Sequence, residues 1–242
     1  MKYEKTVTGT FIERPNRFIA YVNIDGKKET VHVKNTGRCK ELLVPGCTVI
    51  MEDFRNRSGF ENRKTKFDLI AVYKKLEPQS PINDGSGQVL INMDSQAPNK
   101  VVYEWLNSLP ESAKFDSIKP EYTWGNSRVD FYMEKNGARY LMEIKGCTLE
   151  KDGTGFFPDA PTERGVKHLR ELAKAAQEGI NSFIAFVIQI PGVKKVLPNI
   201  ETHPEFGIAM KEAEDAGVKV LFLTCRVKKD ELAISDSLFF SE

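Results

Sequence analysis

Residues 127–146 read SRVDFYMEKNGARYLMEIKG, and this stretch decides the fold of the second half of the chain. Apolar residues dominate on both sides of Asn136-Gly137, a dipeptide typical of a tight turn between antiparallel strands. The pattern predicts one strand over residues 128–133 and a second over residues 139–144.

The charged residues of this hairpin form a candidate metal site. Glu143 and Lys145 are two apart in a strand, so they share a face, and the turn brings Asp130 beside them. Two converging carboxylates suit Mg²⁺ or Mn²⁺, and a neighbouring lysine can position the attacking water. We therefore predict Asp130 and Glu143 as metal ligands and Lys145 as a catalytic residue. The alternative is a structural ion pair between Glu143 and Lys145.

Helices and strands alternate around the hairpin. Apolar residues at helical spacing predict helices over residues 98–109, 162–178 and 204–216. Further strands are expected over residues 89–92, 120–124, 182–189 and 218–223. Together these elements predict a mixed-sheet α/β domain over residues 89–242.

The first half of the chain contains short strands instead. Strands are predicted over residues 6–13, 17–24, 29–33, 47–52 and 67–73, with a turn at Asp25-Gly26 and one or two helical turns over residues 35–43. Five strands with a small helix between the third and fourth match an OB-like barrel over residues 1–76. Residues 77–88, rich in Pro, Gly and Ser, are predicted to form a linker or a long surface loop. A five-stranded barrel without a ligand is the alternative.

Composition narrows the class of protein. No apolar run is long enough for a transmembrane helix, and the first residues lack the apolar core of a secretory signal. The four cysteines form no C-x-x-C pair, which favours reduced thiols in a cytoplasmic protein, and three scattered histidines leave little material for a zinc site. No membrane association is expected.

Charge is distributed unevenly along the chain. Residues 1–75 contain 16 Lys and Arg against 9 Asp and Glu, whereas residues 76–242 contain 19 against 25. Basic residues in the first part alternate with aromatic residues, as in OB folds that hold single strands. This pattern predicts nucleic-acid contacts at Arg14, Arg17, Arg38, Lys40, Arg63 and Lys64. Asn35 and Thr36 join them, because the turn over residues 35–38 can present small donors and backbone N–H groups to a phosphate at a helix start. The alternative is that the aromatic residues fill the barrel and the charges are solvated.

The helix predicted over residues 162–178 adds two candidates. Thr162 is a suitable N-cap, and Arg164 and His168 lie one helical turn apart on the same face. Both are predicted to line a phosphate track. Helix capping with ordinary surface charge is an equally good interpretation of these residues.

Residues 98–189 resemble the PD-(D/E)xK nuclease family. The resemblance rests on Asp130, the turn and the Glu143-Ile-Lys145 segment, placed after a helix. It implies that a glutamate on that helix contributes to the site, and Glu104 is the candidate. The chain departs from the family pattern at Val129, where proline is expected.

A second resemblance covers nearly the whole chain. Its most specific segment is FPDAPTERG at residues 157–165, followed by KHLR at 167–170; NTGR at 35–38, KELLVPG at 40–46 and RKTKFDL at 63–69 support it. Together these segments resemble the sugar fermentation stimulation protein family, SfsA, although Cys39 stands where methionine is common. The resemblance implies a DNA-binding protein, with DNA favoured over RNA, that is built from an OB-like and a nuclease-like domain.

Three classes of function follow from these features. The first is a nucleic-acid-binding protein with a divalent-metal phosphodiesterase site. The second is a catalytically silent DNA-binding regulator on a nuclease scaffold, and the third is a barrel that binds a small ligand. The intact set of Asp130, Glu143 and Lys145 favours the first, because a binding protein has no need for this costly charge cluster. The sequence leaves the oligomeric state open.

We predict that replacing both Arg38 and Lys40 by Ala weakens binding to all nucleic-acid sequences alike. Basic side chains at phosphates release counterions without reading bases, so the slope of log affinity against log salt falls by roughly 0.9 for each phosphate that the variant no longer neutralises. A salt titration of binding measures both effects. Unchanged affinity and slope would contradict the prediction.

Overall fold

The computed structural model describes residues 1–35, 37–125 and 127–236, and its N-terminal half is a closed barrel of five strands. The strands are β1 Thr6–Asn16, β2 Ile19–Ile24, β3 Lys27–Val33, β4 Thr48–Asp53 and β5 Phe67–Lys75. Strand β1 pairs with β2 and β4, and a parallel pairing of β3 with β5 closes the barrel. The predicted OB-like five-stranded barrel is confirmed.

Local turn chemistry sets the first hairpin. Asp25 and Gly26 have φ values of 50° and 80°, the paired left-handed conformation of a type I′ turn. This turn places Val22 and Val31 inside the barrel, where Phe11 joins them in the core.

The segment after β3 differs from the prediction. The described residues of 35–43 form turns, with Leu42 and Leu43 donating to the Cys39 carbonyl at 3.2 and 2.9 Å. Cys39 has a φ of 45°, which interrupts a right-handed helix. The described residues therefore form one turn closed on the Cys39 carbonyl, without a helix.

The second half contains the predicted mixed sheet. In chain order, the elements that follow the barrel strands are β6 Gln88–Asn92, α1 Ala97–Asn107, β7 Ser117–Trp124, β8 Ser127–Lys135, β9 Ala138–Cys147, β10 Leu149–Lys151, β11 Thr154–Phe157, α2 Glu163–Gln177, β12 Asn181–Ile188, β13 Val196–Pro198, α3 Pro204–Asp215, β14 Lys219–Lys228 and β15 Glu231–Asp236. The sheet order is β15-β14-β12-β9-β8-β7, with β12 parallel to both β9 and β14. The mixed sheet with packed helices is confirmed.

Helices cover both faces of this sheet. On one face, Val102 and Leu106 of α1 pack with Phe131 of β8. On the other face, Leu169 of α2 and Phe206 of α3 belong to a core that continues into the barrel. The strands at the centre of the sheet are therefore buried on both sides, which explains the nearly continuous apolar run of β12.

Several strand pairings could not be predicted from the sequence pattern. Strand β6, predicted as the start of the second half, pairs antiparallel with β5 and extends the barrel sheet. The predicted linker forms the loop that joins β5 to β6. Strands β10, β11 and β13 form a separate small sheet, and each has only three or four residues. Such short strands leave too few residues to show an alternating pattern.

A buried polar network joins the two halves. Gln189 donates to the Asn92 side chain at 2.7 Å and to the Asp94 carbonyl at 3.2 Å. Asn92 in turn donates to the Tyr3 hydroxyl at 2.9 Å, and that hydroxyl donates to Asp94 at 3.3 Å. A Cβ on Gly146 would lie 2.6 Å from the Gln189 amide oxygen. Glycine is therefore required beside this network, directly after Lys145.

None of the helices within the described residues is long and apolar enough to span a membrane. All four cysteines are free thiols, and Cys39, Cys147 and Cys225 are buried. Burial raises the pKa of the Cys147 thiol to about 12.

We predict that Tyr3→Phe lowers the free energy of unfolding by about 1–3 kcal/mol, because Asn92 loses its buried acceptor. Chemical denaturation measures the change. Tyr103→Phe is the matched control: its hydroxyl has no hydrogen-bond partner among the described residues, and the expected change is within about 0.5 kcal/mol. Equal stability of the Tyr3 variant and the wild type would show that the network contributes nothing.

Candidate active site

Strands β8 and β9 separate at the point where the predicted acidic residues meet. Asn136 and Gly137, with φ values of 51° and 77°, form the type I′ turn that joins the strands. Their pairing runs from Lys135 and Ala138 to Phe131 and Met142. Beyond that pair, the Asp130 carboxylate takes the place of a backbone carbonyl and accepts the Ile144 amide at 2.7 Å.

Asp130 is held from a second side by α1. The Asn99 side chain donates to the other carboxylate oxygen of Asp130 at 2.6 Å. Two donors from two different elements therefore fix the half-buried carboxylate.

Glu143 and Lys145 lie on the opposite face of β9 from Ile144, as the strand period predicts. The Lys145 ammonium donates to Glu143 Oε1 at 2.6 Å, and His168 Nδ1 contacts the same oxygen. The second oxygen, Oε2, is buried and has no hydrogen-bond partner among the described residues. Glu143 is therefore oriented by two cationic or donor groups and leaves one oxygen available.

His168 is positioned by the start of α2. The Thr162 hydroxyl accepts the Gly165 amide at 3.0 Å and caps the helix, as predicted. Arg164 Nε donates to His168 Nε2 at 3.3 Å, so Nδ1 carries the proton that is directed at Glu143. His168 is only 7% exposed. It therefore contacts Glu143 in the interior instead of lining a surface track, while Arg164 remains exposed.

The two carboxyl groups have opposite pKa shifts. Burial and the charge of Glu143 raise the pKa of Asp130 above its ordinary value. Burial also acts to raise the pKa of Glu143, but the hydrogen bond from His168 and the charge of Lys145 outweigh it, so that pKa is lowered. At neutral pH the site contains an ionised Glu143 beside an Asp130 that is costly to ionise.

Glu104 lies apart from the other predicted catalytic residues. Its carboxylate is 2.6 Å from the amino group of Met1, and its side chain is 59% exposed. The residue of α1 that contacts Asp130 is Asn99. The sequence did not indicate Asn99, because the family resemblance implied a glutamate, not an uncharged amide, on this helix.

The basic residues predicted on the barrel divide into two groups. Arg14 donates to the carbonyl oxygens of Arg17, Asn35, Gly37 and Arg38 at 2.7, 2.7, 2.8 and 3.1 Å. Its guanidinium therefore holds the loop after β3 in place. Arg17, Arg38 and Lys40 are exposed, and together with Arg14 they line an open cleft of about 410 Å³.

The remaining barrel candidates are dispersed. Asn35 accepts the Gly37 amide at 2.8 Å and shapes the same loop, and Thr36 lies outside the described residues. Arg63 pairs with Asp68 and lies 3.7 Å from the centre of the Phe54 ring, while Lys64 is exposed. The structure brings Lys145 and His168 onto Glu143 and bonds Asp130 to the intervening Ile144 amide, whereas no barrel cation pairs with these residues in the described structure.

Asp159 links the barrel loop to the second half. A Cβ on Gly37 would collide with the Asp159 carboxylate, so glycine is needed for this approach. Burial raises the pKa of Asp159. The segment FPDAPTERG thus supplies this link through Asp159 and the α2 cap through Thr162. The role of Asp159 depends on the distant barrel loop and had no local signal.

We predict that Asp130→Asn, measured with a chelator present, is at least as stable as the wild type at neutral pH. The pKa of Asp130 is raised in the folded state, so ionising this carboxyl destabilises the fold at pH values above its unfolded pKa of about 3.9. Below that pH the carboxyl is protonated in both states, and the penalty disappears. The advantage of the variant should therefore vanish in acid. The Asn99 amide can turn to pair with the new amide, so that hydrogen bond is kept. Urea denaturation across pH measures the difference.

Asp25→Asn provides the control for that experiment. Asp25 is exposed in a type I′ turn that accepts asparagine, so its replacement should show no comparable dependence on pH. A large loss of stability in Asp130→Asn at neutral pH would contradict the prediction.

Two family models match the chain. One, described as the SfsA N-terminal OB domain, matches residues 12–81, and the other, the sugar fermentation stimulation protein RE domain, matches residues 96–231. A sugar fermentation stimulation protein homolog from Desulfitobacterium hafniense is 49% identical over 236 residues, covering 98% of this chain and 96% of the relative. One from Clostridium beijerinckii is also 49% identical over 236 residues, covering 98% and 97%.

The fold has a counterpart among solved structures. The structure of Pyrococcus furiosus SfsA in complex with Ca²⁺ superposes with a TM-score of 0.79 at 26% identity, covering 98% of this chain and 96% of that one. The two family models and the relatives together match nearly the whole length of this chain. The chain therefore belongs to the sugar fermentation stimulation protein (SfsA) family.

Proposed function

We propose that this protein binds nucleic acid and hydrolyses phosphodiester bonds with a divalent cation at Asp130 and Glu143. The observation that carries the proposal is that Asp130 accepts the amide of Ile144, between Glu143 and Lys145, so that both charges act on its carboxylate where β8 and β9 separate. DNA is the favoured substrate on family resemblance.

The donor set fits a hard cation. Glu143 Oε2 is buried without a partner among the described residues, and such an atom is costly unless a ligand satisfies it. Asp130 supplies a second carboxylate whose ionised form is disfavoured by burial and by the charge of Glu143, a penalty that a cation would reverse. The Ca²⁺ named for the Pyrococcus furiosus relative is also a hard, oxygen-preferring ion.

Mg²⁺ or Mn²⁺ bound there would lower the pKa of a coordinated water and neutralise phosphate charge. Within the described residues, no group of three or more His, Cys, Asp and Glu side chains is arranged to hold a metal. The proposed site is therefore one with two protein carboxylates, whose other positions water and phosphate would fill.

The surrounding residues have distinct roles in this proposal. Lys145, only 14% exposed in its side chain, presents an ammonium that can stabilise charge on the phosphate and position water. Asn99 and the Ile144 amide hold Asp130 in place, and His168 holds Glu143. The exposed Arg17, Arg38 and Lys40 of the barrel are suited to contact phosphates of the same strand.

A catalytically silent DNA-binding regulator is the second candidate. It is favoured by the contacts of Glu143 Oε1, which already receives both Lys145 and His168. A carboxylate paired in this way has a structural role without any cation.

A thermal melt with and without Mn²⁺ tests the metal site. Binding to the folded state alone stabilises it by about 2.7 kcal/mol when the metal is in hundredfold excess over Kd, so we expect the wild-type Tm to rise by several degrees. Asp130→Asn should lose most of this rise, whereas Asp25→Asn should keep it. No effect of Mn²⁺ on the wild type would leave the regulator as the better interpretation.

Cleavage of single- and double-stranded substrates with Mg²⁺ or Mn²⁺ tests catalysis in the same samples. Lys145→Ala should lower the rate by about 10²–10³ while keeping the metal-dependent rise in Tm. Lys174→Ala, which changes an exposed lysine of α2, is the matched control and should cleave at the wild-type rate. Metal binding without cleavage by the wild type would support the silent regulator.

A further inference from the structure

An open cleft lies between α1 and β7 and β8 at the edge of the mixed sheet, and Asp130 is part of its lining. Its volume is about 610 Å³, within the range of small-molecule sites. The residues that bear on its chemistry are Asn99, Lys100 and Tyr103 of α1, with Pro120, Glu121 and Asp130 from the sheet. The Asp130 carboxylate therefore faces a space large enough for one nucleotide.

Tyr103 presents an aromatic surface in this cleft. Its side chain is 42% exposed, and its ring lies parallel to that of Phe131, with centroids 6.2 Å apart and an angle of 8° between planes. The buried Phe131 fixes the floor beneath Tyr103. No described residue hydrogen-bonds the Tyr103 hydroxyl, and the exposed part of the ring is open to a ligand.

Lys100 lies one helical turn before Tyr103 and next to Asn99, the residue that holds Asp130. It is exposed and forms no ion pair among the described residues. A cation, an aromatic face and a carboxylate thus line the same cleft. The cation and the aromatic face are the pair by which proteins bind the phosphate and base of a single strand.

Glu121 brings a negative charge into the cleft that contains Lys100. It has a φ of 53°, a rare conformation for a residue other than glycine, and lies between the paired positions Pro120 and Tyr122 of β7, which places it opposite Asp130. Its carboxylate is 3.5 Å from Arg128, which compensates part of its charge. Lys100 therefore remains the cleft cation without a carboxylate partner in the described structure.

We propose that the Tyr103 ring stacks on the base of an unpaired nucleotide whose phosphate Lys100 contacts beside Asp130. The inference rests on the proposed phosphodiesterase function and names its substrate class as single strands or frayed ends. Bases inside a duplex have both faces covered by their neighbours, so a ring at the side of the cleft reaches only an unpaired or terminal base.

Binding of a short single strand and of a hairpin duplex with a closed end tests the proposal. A fluorescent adenine analogue at the end of the single strand reports stacking, and a chelator prevents turnover. Tyr103→Leu should weaken single-strand binding about tenfold and abolish quenching of the analogue, with little effect on the duplex. Tyr103→Phe keeps the ring and should behave as the wild type.

Ile208→Ala, which truncates an exposed apolar residue of α3 outside the cleft, controls for surface changes, and a thermal melt of each variant verifies folding. Lys100→Ala should weaken single-strand binding and reduce its salt dependence, because it removes a cation that neutralises a phosphate.

The possible failures are distinguishable. If Tyr103→Leu binds and quenches the analogue as the wild type does, the stacking site is wrong, even where Asp130-dependent cleavage establishes the proposed function. If the wild type binds the single strand with quenching that requires Tyr103 but cleaves nothing with any divalent metal, the stacking site stands and the phosphodiesterase function fails. Equal weakening on single strand and duplex in Tyr103→Leu would also overturn the assignment to unpaired nucleotides.

Discussion

The hydrogen bond from the Ile144 amide to the Asp130 carboxylate is the constraint around which the site is built. It replaces a ladder bond at the point where β8 and β9 separate, so the backbone stays paired while the strands diverge. Asp130 lines the cleft beside α1, while Glu143 receives Lys145 of its own strand and His168 of α2. One side chain that acts as a backbone acceptor thus allows two strands to separate within a buried sheet.

Glycines maintain the connection between this site and the barrel. A side chain at Gly146 would displace Gln189, which ties β6 to the end of the mixed sheet through Asn92. A side chain at Gly37 would collide with Asp159 on the loop before α2. The Gly37 contact lies between the halves, whereas Gly146 leaves room for the Gln189 side chain that reaches Asn92. Both positions need a close backbone approach that no larger residue allows. The barrel loop and the strands of the site are therefore held against each other by packing.

Local patterns predicted much of the fold. The Asp-Gly and Asn-Gly turns, the apolar periods of the helices and the uninterrupted apolar run of β12 each depend on residues close in sequence. The prediction over residues 35–43 failed because Arg14 and Asp159, both distant in the chain, hold that loop in turns. The pairing of β6 with β5 and the small sheet of β10, β11 and β13 depend on partners that local pattern does not identify.

The sequence by itself determined the barrel, the mixed sheet and the shared face of Glu143 and Lys145, because turn conformation and strand period are properties of neighbouring residues. Only the tertiary structure decided which side chains complete the site. Asn99, not Glu104, faces Asp130, since the rotation of α1 is set by the packing of its apolar side on the sheet. His168 lies inward because its place on α2 brings it against Glu143 of β9. Arg14 donates to the Arg17 carbonyl and to three carbonyl oxygens of the loop after β3. Charge and spacing alone cannot distinguish a residue that contacts a ligand from one that satisfies the fold, because both are polar and only the three-dimensional arrangement of partners separates them.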